Sequence, residues 1–181
     1  MSFGKEYLLT VTRRVKYYKD LAEKAFDQIS DDNFHYQYND ESNSIAVIIQ
    51  HMSGNMLSRW TNFLNEDGEK EWRARDEEFA IHDYGKERLL EIWETGWKCF
   101  LEAIESLKEE DLLKTIYIRK EGLTVVDAIN RQLAHYPYHI GQMLYIGRMI
   151  RNSNWKSLSI PKGQSQNYNA GAQIKDPAKK F

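Results

Sequence analysis

Four segments with helical periodicity constrain the fold of this 181-residue chain more than any other feature. In each segment apolar side chains recur at three- and four-residue steps, which places them on one face of an α-helix. The spacing predicts helices over about 4–28, 44–64, 86–107 and 125–151. With 41% hydrophobic residues, the chain can bury one core where these faces meet. The sequence therefore predicts an all-α fold in one main domain.

The segments between the predicted helices have different compositions. Residues 30–43 are rich in Asp, Asn and Ser, which favours a loop. Residues 65–83 are charged and weakly periodic, which predicts a long, partly ordered connection. The β-branched and aromatic residues of 115–118, followed by 122–123, favour either a small hairpin or an extended connection.

Charge and cysteine content indicate the compartment and exclude some partners. The net charge is -2, and lysine and arginine are spread along the chain, so neither nucleic acid nor an anionic membrane is an expected partner. The N-terminus lacks the pattern of an export signal, and no later stretch approaches the length of an apolar membrane span. The single cysteine, Cys99, suits a reducing compartment. We expect a cytoplasmic protein.

Three histidines form the strongest chemical pattern. His135 and His139 are four residues apart on the last predicted helix, so both rings project from one side about one turn apart. His51 lies in the second predicted helix. This spacing is typical of metal ligands and predicts a three-histidine site. Pro137, between the pair, removes the N–H that would bond to Leu133, which predicts a kink at the site.

A plainer interpretation stays open beside the metal site. Histidine pairs at this spacing also arise by chance, and a single histidine is often a hydrogen-bonded core or surface residue. The pair lacks the glutamate of a His-Glu-x-x-His helix, which disfavours a peptidase. His35 and His82 lie in polar segments, where we expect solvated side chains, although either is a possible substitute ligand.

Two motifs resemble a known family. The segment Ile48–Met52 around His51, and the segment His135–Gln142 with its two histidines, are similar to the DinB-like (DinB/YfiT-like) superfamily of proposed metalloenzymes. The resemblance covers about residues 1–155, and residues 155–169 are similar to the tail of a subfamily with no assigned function.

The resemblance implies a fold and a ligand set. The fold is a four-helix bundle of up-down-down-up connectivity, with a long crossover between its second and third helices. Residues 1–155 form this metal-binding domain, and 156–181 form an extension that packs on it, covers the site or stays partly mobile. In this resemblance His51, His135 and His139 bind one divalent metal ion, and the protein is a homodimer.

The chemistry of such a site follows from its ligands. Three neutral imidazoles leave the ion its charge and at least one open position, so a bound water or thiol becomes a nucleophile near neutral pH. The resemblance implies thiol-dependent transferase chemistry with a low-molecular-weight thiol and a small-molecule substrate. A metal-dependent hydrolase and a non-catalytic metal-binding or stress-response protein remain as alternatives. Zinc or nickel is expected first, with iron, manganese and cobalt also suitable.

Four polar side chains near the histidines are candidates to orient a ligand ring or a bound water. They are Gln50, Asn55, Tyr138 and Gln142, each within about one helical turn of a histidine. Amides and tyrosines at such positions also serve as packing or solvated residues. The sequence assigns no general acid or base, so the catalytic residues are unknown at this point.

Overall fold

The computed structural model describes residues 1–171 and 175–181 and is mostly helical. It contains four long helices, α1 (Phe3–Phe26), α2 (Ile45–Trp60), α3 (Lys86–Ser106) and α4 (Val125–Arg151), and a short α5 (Ser165–Ala170). The four long helices are those that the periodicity predicts. In the part of the chain that the structure describes, no helix is both long and apolar enough to cross a membrane.

Side-chain caps explain where two of the long helices begin. The Ser44 hydroxyl accepts the N–H of Val47 at 3.2 Å, and the Thr124 hydroxyl accepts the N–H of Asp127 at 3.2 Å. Each bond satisfies a backbone donor that the first helical turn leaves free. The end of α2 differs from the prediction, because the helix stops at Trp60 and Asn62 adopts a φ of 50°.

The long helices share one apolar core. Helix α2 packs against α3 and α4, while α1 packs against α4 and α3. Gly96 permits the close approach of α3 to α2, because a Cβ there would lie 2.7 Å from the Cα of Ser53. Among the described residues, the six largest fully buried side chains are aromatic: Phe26, Phe34, Trp93, Trp97, Phe100 and Tyr136.

The prediction of a plain loop over residues 30–43 is only partly right. A short 3-10 helix spans Asp31–His35 within it. Its Phe34 side chain is fully buried and packs on Phe26, with ring centroids 5.5 Å apart. One aromatic residue in a polar segment leaves no periodic signal, so its burial depends on tertiary packing.

Of the two structures expected for 115–123, the hairpin is the one that forms. Strand β1 (Thr115–Ile118) pairs antiparallel with β2 (Glu121–Thr124). Arg119 and Lys120 connect them with φ values of 56° and 64°, a left-handed conformation that is costly for both residues. The Asp67 carboxylate accepts their N–H groups at 2.8 and 2.7 Å. The connection after α2 therefore stabilises the turn of the hairpin.

The last residues lie on α1. The Asp176 carboxylate accepts a hydrogen bond from the Arg14 guanidinium at 2.6 Å, and Ala178 is buried nearby. Residues 172–174, which belong to the predicted extension 156–181, lie outside the described residues.

Candidate metal centre

The structure brings the three histidines of the sequence pattern together. His51 comes from α2, and His135 and His139 come from α4. The Nε2 atom of His135 lies 3.0 Å from Nε2 of His139 and 3.4 Å from Nε2 of His51. One ring nitrogen from each residue lies within 4.8 Å of the others. Helices distant in sequence thus supply one compact group of three imidazoles.

The opposite nitrogen of each ring faces an oxygen acceptor. Nδ1 of His51 lies 3.0 Å from the Glu78 carboxylate, and Nδ1 of His139 lies 2.8 Å from the Gln142 amide oxygen. Nδ1 of His135 lies 3.4 Å from the Gln132 amide oxygen. Because these oxygens only accept, each Nδ1 carries the proton and donates it. The three Nε2 lone pairs then point toward one another.

This arrangement fits a divalent cation. The lone pair on Nε2 of His135 lies 3.0 Å from that of His139 and 3.4 Å from that of His51, and such lone pairs repel one another unless a proton or a positive ion lies between them. Nitrogen ligands of a tetrahedral zinc ion at about 2.0–2.1 Å are about 3.3 Å apart, which is close to these separations. Histidines that bind metals usually donate their other N–H to a carboxylate or carbonyl oxygen, as these do.

The burial of the group favours neutral rings, the form that binds metals. Loss of solvent lowers the pKa of His135 to about 3, and the neighbouring His139 and His51 rings act in the same direction. Burial also lowers the pKa of His139, although the bond to Gln142 opposes the shift. Both rings of α4 are therefore uncharged at neutral pH.

A buried ion pair holds His51. The two Glu78 oxygens accept bonds from the Arg73 guanidinium at 2.7 and 2.9 Å, and one of them also accepts from His51. Burial would raise the pKa of the Glu78 carboxyl, but its bonds with His51 and Arg73 outweigh this effect and lower the pKa. Glu78 is therefore a carboxylate at neutral pH and fixes the proton of His51 on Nδ1.

The segment that carries Glu78 is fixed at a second point. Glu69 accepts hydrogen bonds from Arg59 of α2 at 2.8 Å and from Arg119 of the hairpin at 3.0 Å. The predicted partly ordered connection is thus tied to both neighbours. This order is what allows a loop residue to position a histidine of the site.

A glycine in α2 makes room for the carboxylate. Gly54 lies three residues after His51, and a Cβ at this position would lie 2.2 Å from Oε1 of Glu78. A glycine inside a helix costs about 1 kcal/mol relative to alanine. At Gly54 the close approach of Glu78 explains its presence.

The four polar candidates from the sequence differ in their positions. Gln142 bonds His139, whereas Asn55 accepts a hydrogen bond from the Tyr136 hydroxyl at 3.1 Å. The Gln50 amide donates to the carbonyl of Ala46 within its own helix. Tyr138 is exposed and contacts the His139 ring edge-on, with centroids 5.0 Å apart. Among the four, Gln142 has the hydrogen bond to a ligand ring that the sequence hypothesis requires.

The remaining histidines lie apart from the group. Nε2 of His35 lies 2.8 Å from the carbonyl of Tyr84, and Nε2 of His82 lies 3.3 Å from the carbonyl of Glu77. Neither belongs to the described cluster of possible metal ligands.

Sequence reasoning missed several residues of this site. Gln132 precedes His135 by three residues, as Gln142 follows His139 by three, so helical spacing was a usable signal for it. Gly54 carried a weaker signal, as an unexplained glycine within a helix. Glu78 and Arg73 lie in a segment with many charged residues, and nothing local distinguishes them.

Comparison with known proteins gives one family. Residues 2–164 match the sequence model of a family described as "Protein of unknown function (DUF1572)". The chain belongs to this family. No curated protein and no solved structure matches the chain. The family description names no reaction.

Proposed function

We propose that this member of the DUF1572 family binds one divalent metal ion through Nε2 of His51, His135 and His139 and uses it for thiol-dependent transfer to a small-molecule substrate. The observation that supports the ligand set best is the orientation of the two nitrogens of each ring. Each Nδ1 faces an oxygen acceptor, at 2.8–3.4 Å, and each Nε2 faces the common centre. Zinc and nickel are among the metals that suit imidazole ligands, and we propose one of these two.

When bound, the ion would supply positive charge and an open position, which together would lower the pKa of an incoming thiol or water. The protein supplies orientation. Glu78 fixes the ring of His51, and the amides of Gln132 and Gln142 fix the rings of α4. Since Glu78 contacts the far side of His51, it is placed as a partner of that ligand and leaves three histidines as the ligand set. An open three-ligand set favours chemistry over a purely structural site.

The hydrogen bonds that hold Glu78 and Tyr136 favour a thiol reaction over hydrolysis. Hydrolysis profits from a free carboxylate or tyrosine that moves a proton. Both oxygens of Glu78 are bonded to Arg73. The Tyr136 hydroxyl donates to Asn55 and accepts from Trp60, and burial raises its pKa. A thiol would need neither group, because its own ionisation would make the nucleophile.

We also propose that the four long helices form a bundle of the DinB-like kind. The packing of α1 and α2, each against both α3 and α4, supports this arrangement. The long connection between α2 and α3 would then be the crossover, and it carries Glu78.

Metal content tests the ligand set. Elemental analysis of tag-free protein loaded with zinc or nickel should give about one ion per chain. His51→Ala and His135→Ala should each abolish this binding. The matched controls His35→Ala and His82→Ala remove histidines outside the cluster and should retain the metal. Equal metal content in all four variants would contradict the proposal.

A cobalt-substituted protein tests the thiol chemistry separately. Adding 2-mercaptoethanol should change the visible spectrum if the thiol enters the open position. Retained metal with an unchanged spectrum would overturn the thiol reaction and leave the metal site intact. A large loss of thermal stability on chelation, together with that unchanged spectrum, would instead support a structural metal.

A further inference from the structure

A second feature of interest is a surface cleft beside α4. Its volume is about 520 Å³, and it lies between α4, the first turn of α2 and the loop before α2. This volume falls within the range of about 300–1,000 Å³ found for small-molecule sites. The cleft is therefore large enough for a compact organic ligand.

The lining of the cleft is aromatic and acidic. Three tyrosines and one methionine are among its lining residues, and one carboxylate lies at the loop: Tyr36, Tyr38, Tyr145, Met149 and Glu41. Lysine and arginine are absent from the lining, as far as the described residues show. Glu41 also has no ion pair within 1–171 or 175–181.

We propose that this cleft binds a small organic cation, an ammonium group that carries an apolar substituent. Tyrosine rings attract cations through the negative charge of their faces, and a carboxylate adds direct attraction. The apolar part of such a ligand gains from contact with Met149 and the tyrosine rings. An anion would meet Glu41 without a compensating basic group, so charge complementarity favours the cation.

One residue connects the cleft with the metal centre. Gln142 lines the cleft, and its amide oxygen lies 2.8 Å from Nδ1 of His139. A ligand in the cleft therefore lies next to the residue that orients one of the imidazoles. This connection makes the cation a candidate for part of the substrate, an extension that rests on the proposed function, whereas the cleft itself requires no metal.

Calorimetry on the metal-free protein tests the cleft alone. Benzyltrimethylammonium should bind saturably, while phenylacetate, an anion of similar shape, should not bind. Glu41→Gln and Tyr145→Leu should each weaken binding of the cation by about three- to fivefold. Tyr145 is 68% exposed, so its replacement leaves the core unchanged. The control variants Glu102→Gln and Tyr117→Leu lie outside this cleft and should leave the affinity unchanged.

Three outcomes would overturn the cation site. They are absence of saturable binding of benzyltrimethylammonium, equal binding of phenylacetate, and unchanged affinity in both cleft variants. Absence of binding has a specific reading when the sedimentation mass is that of a dimer and falls on Tyr145→Leu. That combination would assign the cleft to a second copy of the chain. Metal content is measured separately. Absence of cation binding therefore does not contradict the three-histidine site, and absence of metal does not contradict cation binding in the cleft.

Discussion

The two helices that supply the histidines hold them in different ways. On α4, His135 and His139 are oriented by Gln132 and Gln142 of the same helix. On α2, His51 is oriented by Glu78, which lies 27 residues away in the connection to α3. The α4 half of the site is thus local and built from neutral amides, and the α2 half is long-range and built from a buried ion pair.

The two halves differ in how their ring partners are positioned and in how much stability is lost when a partner is removed. An amide at a helical spacing of three residues is positioned by the helix itself, so its loss leaves little else disturbed. A buried carboxylate is positioned by tertiary contacts. Its loss removes the 2.7 Å contact of the buried Arg73 charge and leaves that charge only the Glu69 carboxylate, 4.0 Å away. We therefore expect the α2 half to be more sensitive to substitution, and the following experiments test that expectation.

Glu78→Gln should have the largest effect. Removing one partner of a buried ion pair costs about 3–5 kcal/mol, and loss of a carboxylate behind a metal-bound histidine lowers metal affinity about 10- to 100-fold. Chemical denaturation of the metal-free protein measures the first quantity, and competition with a chelator measures the second. Glu77→Gln, one residue earlier and exposed, is the control. Adding Arg73→Met to Glu78→Gln should restore part of the stability, and a further loss would contradict the ion-pair argument.

Gly54→Ala should disturb the same half from the α2 side. The new Cβ would lie 2.2 Å from Oε1 of Glu78, and that carboxylate cannot move without loss of its bonds to Arg73 and His51. Overpacking of this kind costs about 1–3 kcal/mol, which equals or exceeds the gain of about 1 kcal/mol from alanine in a helix.

Gly141→Ala is the matched control for this substitution. Gly141 also lies within a helix, but a Cβ there would meet nothing within 4 Å. This variant should be as stable as the original protein or more so. Destabilisation of both variants by the same amount, measured by denaturation, would show that Glu78 has no special role at Gly54.

Acidification should affect the α4 half first in the metal-free protein. The pKa of His135 falls from 6.5 to about 3 on folding, so the unfolded chain takes up a proton at higher pH than the folded one. Its stabilising contribution is present above pH 6.5 and is lost as pH decreases toward 3. The lowered pKa of His139 has the same sign.

Protonation of Glu78 should lower the stability in a second, more acidic pH range. Its pKa lies below 4.5, so its contribution is present above that pH and is lost at lower pH. Between pH 7.5 and 5.5 the free energy of unfolding should therefore change through the histidines alone. A single histidine whose pKa is lowered in the folded protein should cause a loss of about 1 kcal/mol. His135→Gln should reduce this loss, and His35→Gln should leave it unchanged. Equal pH dependence in all three proteins would remove the argument for neutral rings.

The smallest effects are expected at the amides of α4. Gln142→Ala should lower metal affinity by about tenfold, the weaker end of the range for such partners. Gln132→Ala should do less, because its contact with His135 is 3.4 Å long, against 2.8 Å for Gln142 and His139. Chelator competition ranks the two. An effect of either amide larger than that of Glu78→Gln would reverse the comparison between the two halves.

Much of the fold was accessible from the sequence. The four long helices follow from apolar spacing. The hydroxyls of Ser44 and Thr124 cap the first turns of two of them. The sequence did not reveal the buried Phe34 or the early end of α2 at Trp60. Both depend on contacts between segments, which local periodicity does not predict.

The same distinction between local and long-range contacts applies to the site. The sequence by itself determined that His135 and His139 share one side of a helix, because the geometry of an α-helix fixes residues four apart. Only the tertiary structure decided that His51 faces them and that Glu78 fits against Gly54. The first contact depends on how α2 packs against α4, and the second on how a long connection folds back on α2. The charged segment of that connection offers many carboxylates of equal local character. Burial, hydrogen-bond geometry and steric fit select one of them, and all three exist only in the folded chain.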